Sequence, residues 1–160
     1  KCRRSKGELR VCSVLTDLNK KYKEQWKFVT PFIKKYQFDF MSLDKNYHGI
    51  IEYHGRQHWT PTSFRSKKKA NPIESLTDNI RRDYIKYEYC ILRGINLFII
   101  PFWEYKNISS ILKDLFAGKR PACSEPPESV INHAGLRKEI RQEFKLFDKD
   151  VFSGFLEDYV

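Results

Sequence analysis

Residues 95–101, Ile-Asn-Leu-Phe-Ile-Ile-Pro, form the most apolar strand-like segment of the chain and constrain its fold more than any other. Such a run is far too short to span a bilayer. It reads instead as a β-strand buried on both faces. Just before it, Ile80, Tyr84, Tyr87 and Ile91 recur at helical spacing. That spacing predicts a helix opened by Ser75 or Thr77, reaching Arg93 and stopped by Gly94. A strand reached through a helix pairs parallel with an earlier strand by a right-handed crossover. The chain is therefore expected to build an α/β sheet.

The earlier strands make that sheet mixed. Residues 26–32, 36–41 and 49–54 read as three strands of an antiparallel meander, with a turn over 44–49. In the second strand Phe38 and Phe40 alternate against Asp39. Ahead of them, Ser5-Lys6-Gly7-Glu8 has the pattern of a capping box. It opens a helix with Val11, Cys12, Leu15 and Leu18 inward, and Lys20, Lys21 and Lys23 are placed at its C-terminal end, where cations suit the helix dipole. Residues 60–74 read as a basic loop carrying Lys67, Lys68 and Lys69. Asn107 is expected to cap a helix that buries Ile108, Ile111, Leu112 and Leu115 and stops at Gly118. The predicted order is α-β-β-β-α-β-α, a mixed sheet flanked by helices, over residues 1–118. A proline-rich linker follows over 119–127, then a helical extension over 128–160. One helix is expected from 128 to 147, with Val130, Ile131, Leu136, Ile140, Phe144 and Phe147 apolar. This extension has three open uses: packing on the core, pairing a homodimer, or touching the rest of a larger polypeptide.

A chain of 160 residues suits one domain with a real core. Its 30 Lys and Arg against 20 acids leave a formal charge of +10, which attracts a polyanion. Nucleic acid is the expected partner, because no basic helix with a wide apolar face points to a membrane surface. The charged first ten residues lack an apolar signal segment. Cys2, Cys12, Cys90 and Cys123 form no CxxC pair. An intracellular compartment, cytoplasmic or nuclear, is expected rather than secretion. Because Lys1 rather than Met comes first, Cys2 is read either as a free thiol or as the last ligand of a zinc-binding segment upstream.

The chemistry is concentrated in residues 49–58. Strand alternation puts Glu52 and His54 on one face, with Ile51 and Tyr53 on the other. Glu52 is the single acid in an apolar strand, and a buried lone carboxylate is costly unless it is paired, protonated or bound to metal. Asp39 repeats the pattern between two phenylalanines. Either acid alone is best read as the partner of a buried arginine or the cap of a turn. Both together on neighbouring strands, with His54, Gln57 and His58 close by, favour a divalent-metal site. His58 is also readable as a packing residue beside Trp59. Trp26, Trp59 and Trp103 are core or platform residues, and Trp59 beside the basic loop is a candidate for stacking on a base.

These stretches together resemble the PD-(D/E)xK nuclease superfamily, with its restriction-endonuclease-like fold. The nearest branch is the very-short-patch-repair-like group of phages and large DNA viruses. Its matching segments are Ser5-Lys6-Gly7-Glu8, Gln37-Phe38-Asp39-Phe40, Ile51-Glu52-Tyr53-His54-Gly55-Arg56-Gln57-His58, Arg82-Asp83 with Lys86, and residues 97–104, all in the family's order. The resemblance implies Asp39 and Glu52 as ligands of Mg²⁺ or Mn²⁺, and Glu8 as an acid that the first helix points at the site. The superfamily usually carries lysine two residues after the second acid, and here it is His54. The resemblance therefore leaves three candidates for the polar helper: Gln57, His54, and Lys86 from the next helix. Arg82 and Lys86 are read either as an intrahelical salt-bridge set with Asp83 or as phosphate contacts, along with Lys67, Lys68 and Lys69. The expected activity is that of a metal-dependent endonuclease acting on DNA. A catalytically silent nucleic-acid-binding module and an RNA-directed nuclease are the alternatives.

Overall fold

The computed structural model describes residues 4–29, 35–62, 71–122 and 124–144. Four strands, β1 (Tyr22–Val29), β2 (Lys35–Leu43), β3 (His48–His54) and β4 (Asn96–Pro101), form one mixed sheet in the order β1-β2-β3-β4. The first three pair antiparallel, and β4 pairs parallel with β3. Helix α1 (Lys6–Asp17) and helix α3 (Ile108–Phe116) cover one face. The long helix α2 (Pro72–Arg93) and the short helices α4 (Glu128–Ile131) and α5 (Ala134–Arg141) cover the other. The molecule is a mixed α/β structure. Among the described residues, no helix is long and apolar enough to cross a membrane.

Local chemistry explains the helix starts. Ser5 accepts from the Glu8 backbone N–H at 3.1 Å, and Glu8 Oε1 accepts from the Ser5 N–H at 3.3 Å, closing the capping box. Helix α2 begins earlier than residues 75–77, because Asn71 Oδ1 accepts from the Ile73 N–H at 3.0 Å and Pro72 occupies the first turn, where its missing N–H costs nothing. Gly94 ends it at φ 60° with open space around its Cα, a left-handed position that suits glycine. Asn107 does not cap α3 with its side chain; Nδ2 instead donates to Glu104 Oε2 at 2.7 Å. Lys20, Lys21 and Lys23 likewise lie beyond the end of α1, which has no basic residue in its last turn. Lys20 instead reaches Asp44 at 3.3 Å and the Phe116 ring.

The predicted single helix over 128–147 is two helices within the described residues. At His133 the backbone leaves the helical region, with φ −110° and ψ 5°. Its ring Nδ1 lies 2.8 Å from the Ser129 carbonyl, filling the acceptor that a continuing helix would have used. This stretch packs on the core: Val130 and Ile140 join Leu76, Ile80, Tyr84 and Tyr87. Phe147 and residues 67–69 lie outside the described residues, as do Cys2 and Cys123.

Two features of the sheet position the polar centre. The β1–β2 ladder skips one pair, between Glu24 opposite Phe40 and Trp26 opposite Phe38. The skipped residues are Gln25, at φ 50°, and Asp39. A side chain in the left-handed region twists the ribbon there. Phe38 and Phe40, two residues apart and expected on one face, consequently enter opposite cores: Phe38 packs with α2, Phe40 with α1 and α3. The β2–β3 ladder also ends at Phe40 opposite Ile51. Beyond it the two acids replace backbone acceptors. Glu52 Oε1 accepts from the Asp39 N–H at 3.0 Å, and Asp39 Oδ2 accepts from the Tyr53 N–H at 2.8 Å.

Gly7 sets the other approach. A Cβ at this position would lie 1.9 Å from a Tyr53 ring carbon, so only glycine lets the start of α1 rest on β3. Gly7→Ala must push α1 or the ring aside, and we expect a loss of roughly 1–3 kcal/mol in denaturant unfolding, as for other overpacked sites. An unchanged unfolding midpoint would show that α1 does not depend on this contact.

Candidate functional site

The parting of β2 from β3 opens a polar centre between the sheet and α2. Asp39 comes from β2, Glu52 and His54 from β3, His58 from the short 3-10 turn Arg56–His58, and Asp83 and Lys86 from α2. Lys86 Nζ donates to Glu52 Oε2 at 2.5 Å. Its ammonium also lies 4.9 Å from the Phe38 ring centre. Burial works to raise the Glu52 carboxyl, but Lys86 and His54 together outweigh it and hold the group below its ordinary value. Among the described residues, Asp39 has no such partner at contact distance. Burial and then the charge of Glu52 push it well above the usual carboxylate range, while the Tyr53 N–H pulls the other way. Two acids thus share one lysine, and the charge of Asp39 is the uncompensated one.

His54 is 1% exposed, and neither ring nitrogen has a hydrogen-bond partner. It lies at ion-pair rather than hydrogen-bond distance, with Nε2 3.6 Å from Glu52 and Nδ1 3.8 Å from Asp83. Burial lowers its pKa to about 4, against the pull of Asp83, so the ring is uncharged at neutral pH. The His58 ring stacks on it, with centroids 4.2 Å apart. His58 Nδ1 lies 3.0 Å from both oxygens of Asp83. Burial raises the Asp83 carboxyl, but His58, His54 and Arg137 reverse this and leave it well below its ordinary value. An ionised carboxylate only accepts, so His58 Nδ1 carries the proton. Arg137, from α5, lies 3.7 Å from Asp83, donates to the His58 carbonyl at 2.6 Å and stacks on Trp59 at 4.3 Å.

A groove of about 550 Å³ runs beside this centre, lined by Tyr36, Gln37, Gln57, His58, Asn79, Arg82, Asp83 and Lys86. It lies on the side where β2 has left β3. A second hollow of about 410 Å³, at the opposite end of β4, holds none of these groups.

The structure brings Asp39, Glu52, His54 and Lys86 together. Glu8 stays in its capping box, yet its charge is near enough to Asp39 to add to the upward push on that carboxyl. Gln57 folds back over Gly55, where a Cβ would meet its Oε1 at 2.5 Å; its backbone carbonyl accepts from Asn79 Nδ2 at 2.9 Å. Arg82 is exposed and bonds Asn79 Oδ1 at 2.5 Å rather than Asp83. Asp83 turns inward, away from the intrahelical salt bridge that the spacing allowed. Lys67, Lys68 and Lys69 lie outside the described residues. Trp59 is 3% exposed and covered by Arg137, which leaves no free face for a base.

Sequence reasoning passed over the His58–Asp83 pair and Arg137. His58 stood in the conspicuous stretch but had a packing explanation, and Asp83 had a helix-surface one. No local pattern announced Arg137, whose approach depends on how α5 folds back over α2. No protein-family model, no curated protein and no solved structure matches this chain.

The buried His54 predicts a pH response. Its folded pKa of about 4 lies below the ordinary value of 6.5, so the unfolded chain binds this proton more readily. The folded state therefore loses stability as pH falls from 6.5 towards 4, by on the order of 3 kcal/mol. Asp39, raised in the fold, opposes this loss over part of the same window. His54→Phe isolates the histidine contribution: its unfolding free energy, measured in urea from pH 7.5 to 4.5, is expected to fall less steeply than that of the parent. Parallel curves for the two proteins would rule the effect out.

Proposed function

We propose that the chain is a divalent-metal-dependent endonuclease that hydrolyses phosphodiester bonds, with DNA as its substrate, on a restriction-endonuclease-like arrangement of the sheet. The observation that carries this reading is the meeting of Asp39 and Glu52 where β2 and β3 part, with one lysine for the two acids. The donor set fits Mg²⁺ or Mn²⁺. Both acids offer hard oxygens, and the raised Asp39 carboxyl marks a place where added positive charge is favourable. When bound, the cation would polarise the scissile phosphate and lower the pKa of a water.

The chain's own groups supply the remaining steps. Lys86 holds Glu52 ionised and in place, and its ammonium lines the groove beside a docking phosphate. Asp83 fixes the proton on His58 Nδ1, which leaves Nε2 with a lone pair. His58 also lines the groove, so that nitrogen is the candidate to take a proton from the attacking water. His54, buried and uncharged, is read as the wall between Glu52 and Asp83 rather than as the proton carrier. Gln57 lines the groove mouth and orients solvent there, and Glu8 adds negative charge behind Asp39. Arg82 tracks the phosphate backbone. The net charge of +10 supports a polyanionic substrate.

Asp39→Asn is expected to lower plasmid cleavage in Mg²⁺ or Mn²⁺ by roughly 10³-fold or more, and EDTA to abolish it in the parent. Cleavage that survives EDTA or the substitution refutes the reading. Tight DNA binding without cutting in any divalent metal would favour a silent binding module, and parallel digestion of RNA decides the substrate.

His58→Ala is expected to lower cleavage by about 10²–10⁴-fold with binding of uncut DNA retained, the size typical of a lost general base. Asp83→Asn should lower it too, by releasing the ring from its proton-bearing orientation. Full activity in His58→Ala would remove His58 from the mechanism.

A further inference from the structure

The histidine–aspartate cluster has a second capacity that the oxygen-rich site does not share. One ligand atom each from His54, His58 and Asp83 lies within 4.8 Å of the other two. The separations from Asp83 are 3.0 Å to His58 Nδ1 and 3.8 Å to His54 Nδ1. Two ligands of a tetrahedral ion with bonds of about 2.1 Å stand roughly 3.4 Å apart, so these spacings bracket what such an ion requires. His54 supplies the independent observation: it is 1% exposed, and both nitrogens lack a hydrogen bond. A buried imidazole left without a partner is costly. A cation on Nδ1 would fill that vacancy.

We propose that His54, His58 and Asp83 form a second cation site, distinct from Asp39 and Glu52, that takes a nitrogen-seeking divalent metal such as Zn²⁺, and that its occupation switches the nuclease off. Two imidazoles and one carboxylate suit Zn²⁺ far better than Mg²⁺, which prefers an all-oxygen shell. Three protein ligands leave a fourth position for water, and His58, with a side chain 22% exposed, gives the ion a way in from the groove. Arg137 already neutralises part of the Asp83 charge, at 3.7 Å, but it keeps the His58 carbonyl and the Trp59 ring as partners when a metal takes over. The stacked rings must turn slightly to converge on one ion, and His58, the less buried of the two, has the room. Binding displaces the Nδ1 proton of His58, and the neutral ring then carries its one proton on Nε2, the nitrogen that would otherwise accept one. The His58–Asp83 pair then no longer orients a proton acceptor. This switching clause rests on the nuclease reading; the site itself does not.

The full chain, stripped with EDTA, is titrated with ZnCl₂ by calorimetry in two buffers of different ionisation enthalpy, and with CoCl₂ while visible absorption is followed. The expected result is one Zn²⁺ equivalent with no net release of ring protons between the two buffers and the bands of tetrahedral Co²⁺, with affinity at least roughly tenfold weaker in His58→Ala and unchanged in Asp39→Asn. Far-UV circular dichroism checks that each variant is folded, and His58→Gln repeats the test with a residue closer in size. Zn²⁺ is also expected to suppress Mg²⁺-dependent cleavage by the parent. No binding, or equal binding in folded His58→Ala and His58→Gln, overturns the site. His58-dependent Zn²⁺ binding in a protein that cuts nothing in any metal upholds the site and overturns the nuclease reading together with the switch. Zn²⁺ bound at the site with Mg²⁺-dependent cleavage undiminished overturns the switch alone.

Discussion

Lys86 Nζ, 2.5 Å from Glu52 Oε2, is the contact on which the polar centre depends. Glu52 is 3% exposed, and without a cation its burial would be prohibitive. With Lys86 in place Glu52 stays ionised, and an ionised Glu52 accepts the Asp39 N–H. That bond holds β2 at the point where its ladder with β3 ends. The rise of the Asp39 carboxyl follows from the same arrangement, because its desolvation adds to the charge of Glu52 and one ammonium does not neutralise both acids. Helix placement, strand parting and electrostatics are therefore parts of one constraint.

The two cores make that constraint geometrically possible. Ile50, Leu97 and Ile99 face α2, while Ile51, Phe98 and Ile100 face α1 and α3. β3 and β4 are thus apolar on both sides, as central strands between helical layers must be. The only buried polar groups on β3 are Glu52 and His54, and both point to α2, from which Lys86 and Asp83 answer. The C-terminal helices then close the layer. Arg137 reaches Asp83 and the His58 carbonyl from outside, so the far end of the described chain stabilises the charge of a residue on α2.

Polar groups elsewhere show the same economy. Glu104 is fully buried, yet Oε2 takes the Asn107 amide and Oε1 the Ser124 N–H at 2.5 Å. These bonds tie the segment between α3 and α4 to the end of β4. A carboxylate that accepts two donors in this way is a structural clasp, and it shows why an isolated acid in an apolar stretch is not by itself a mark of chemistry. Glu52 differs from Glu104 in its company: a second acid, a lysine and a histidine pair.

Periodicity in the sequence determined the elements. The helix of Ile80, Tyr84 and Tyr87, the buried strand before Pro101, the capping box at Ser5 and the stop at Gly94 are local matters, set by side-chain spacing and backbone preference over a few residues. The prominence of Asp39 and Glu52 was legible for the same reason: each is an acid where its neighbours demand burial. Tertiary structure alone decided which cation answered them, because Lys86 stands 34 positions from Glu52 and reaches it only once α2 crosses the sheet. It also decided that Phe38 and Phe40 part to opposite faces, that Asp83 turns inward to His58, and that Arg137 closes over both. Those outcomes depend on the twist at Gln25 and on the packing of helices from distant parts of the chain, and no short window of residues encodes either.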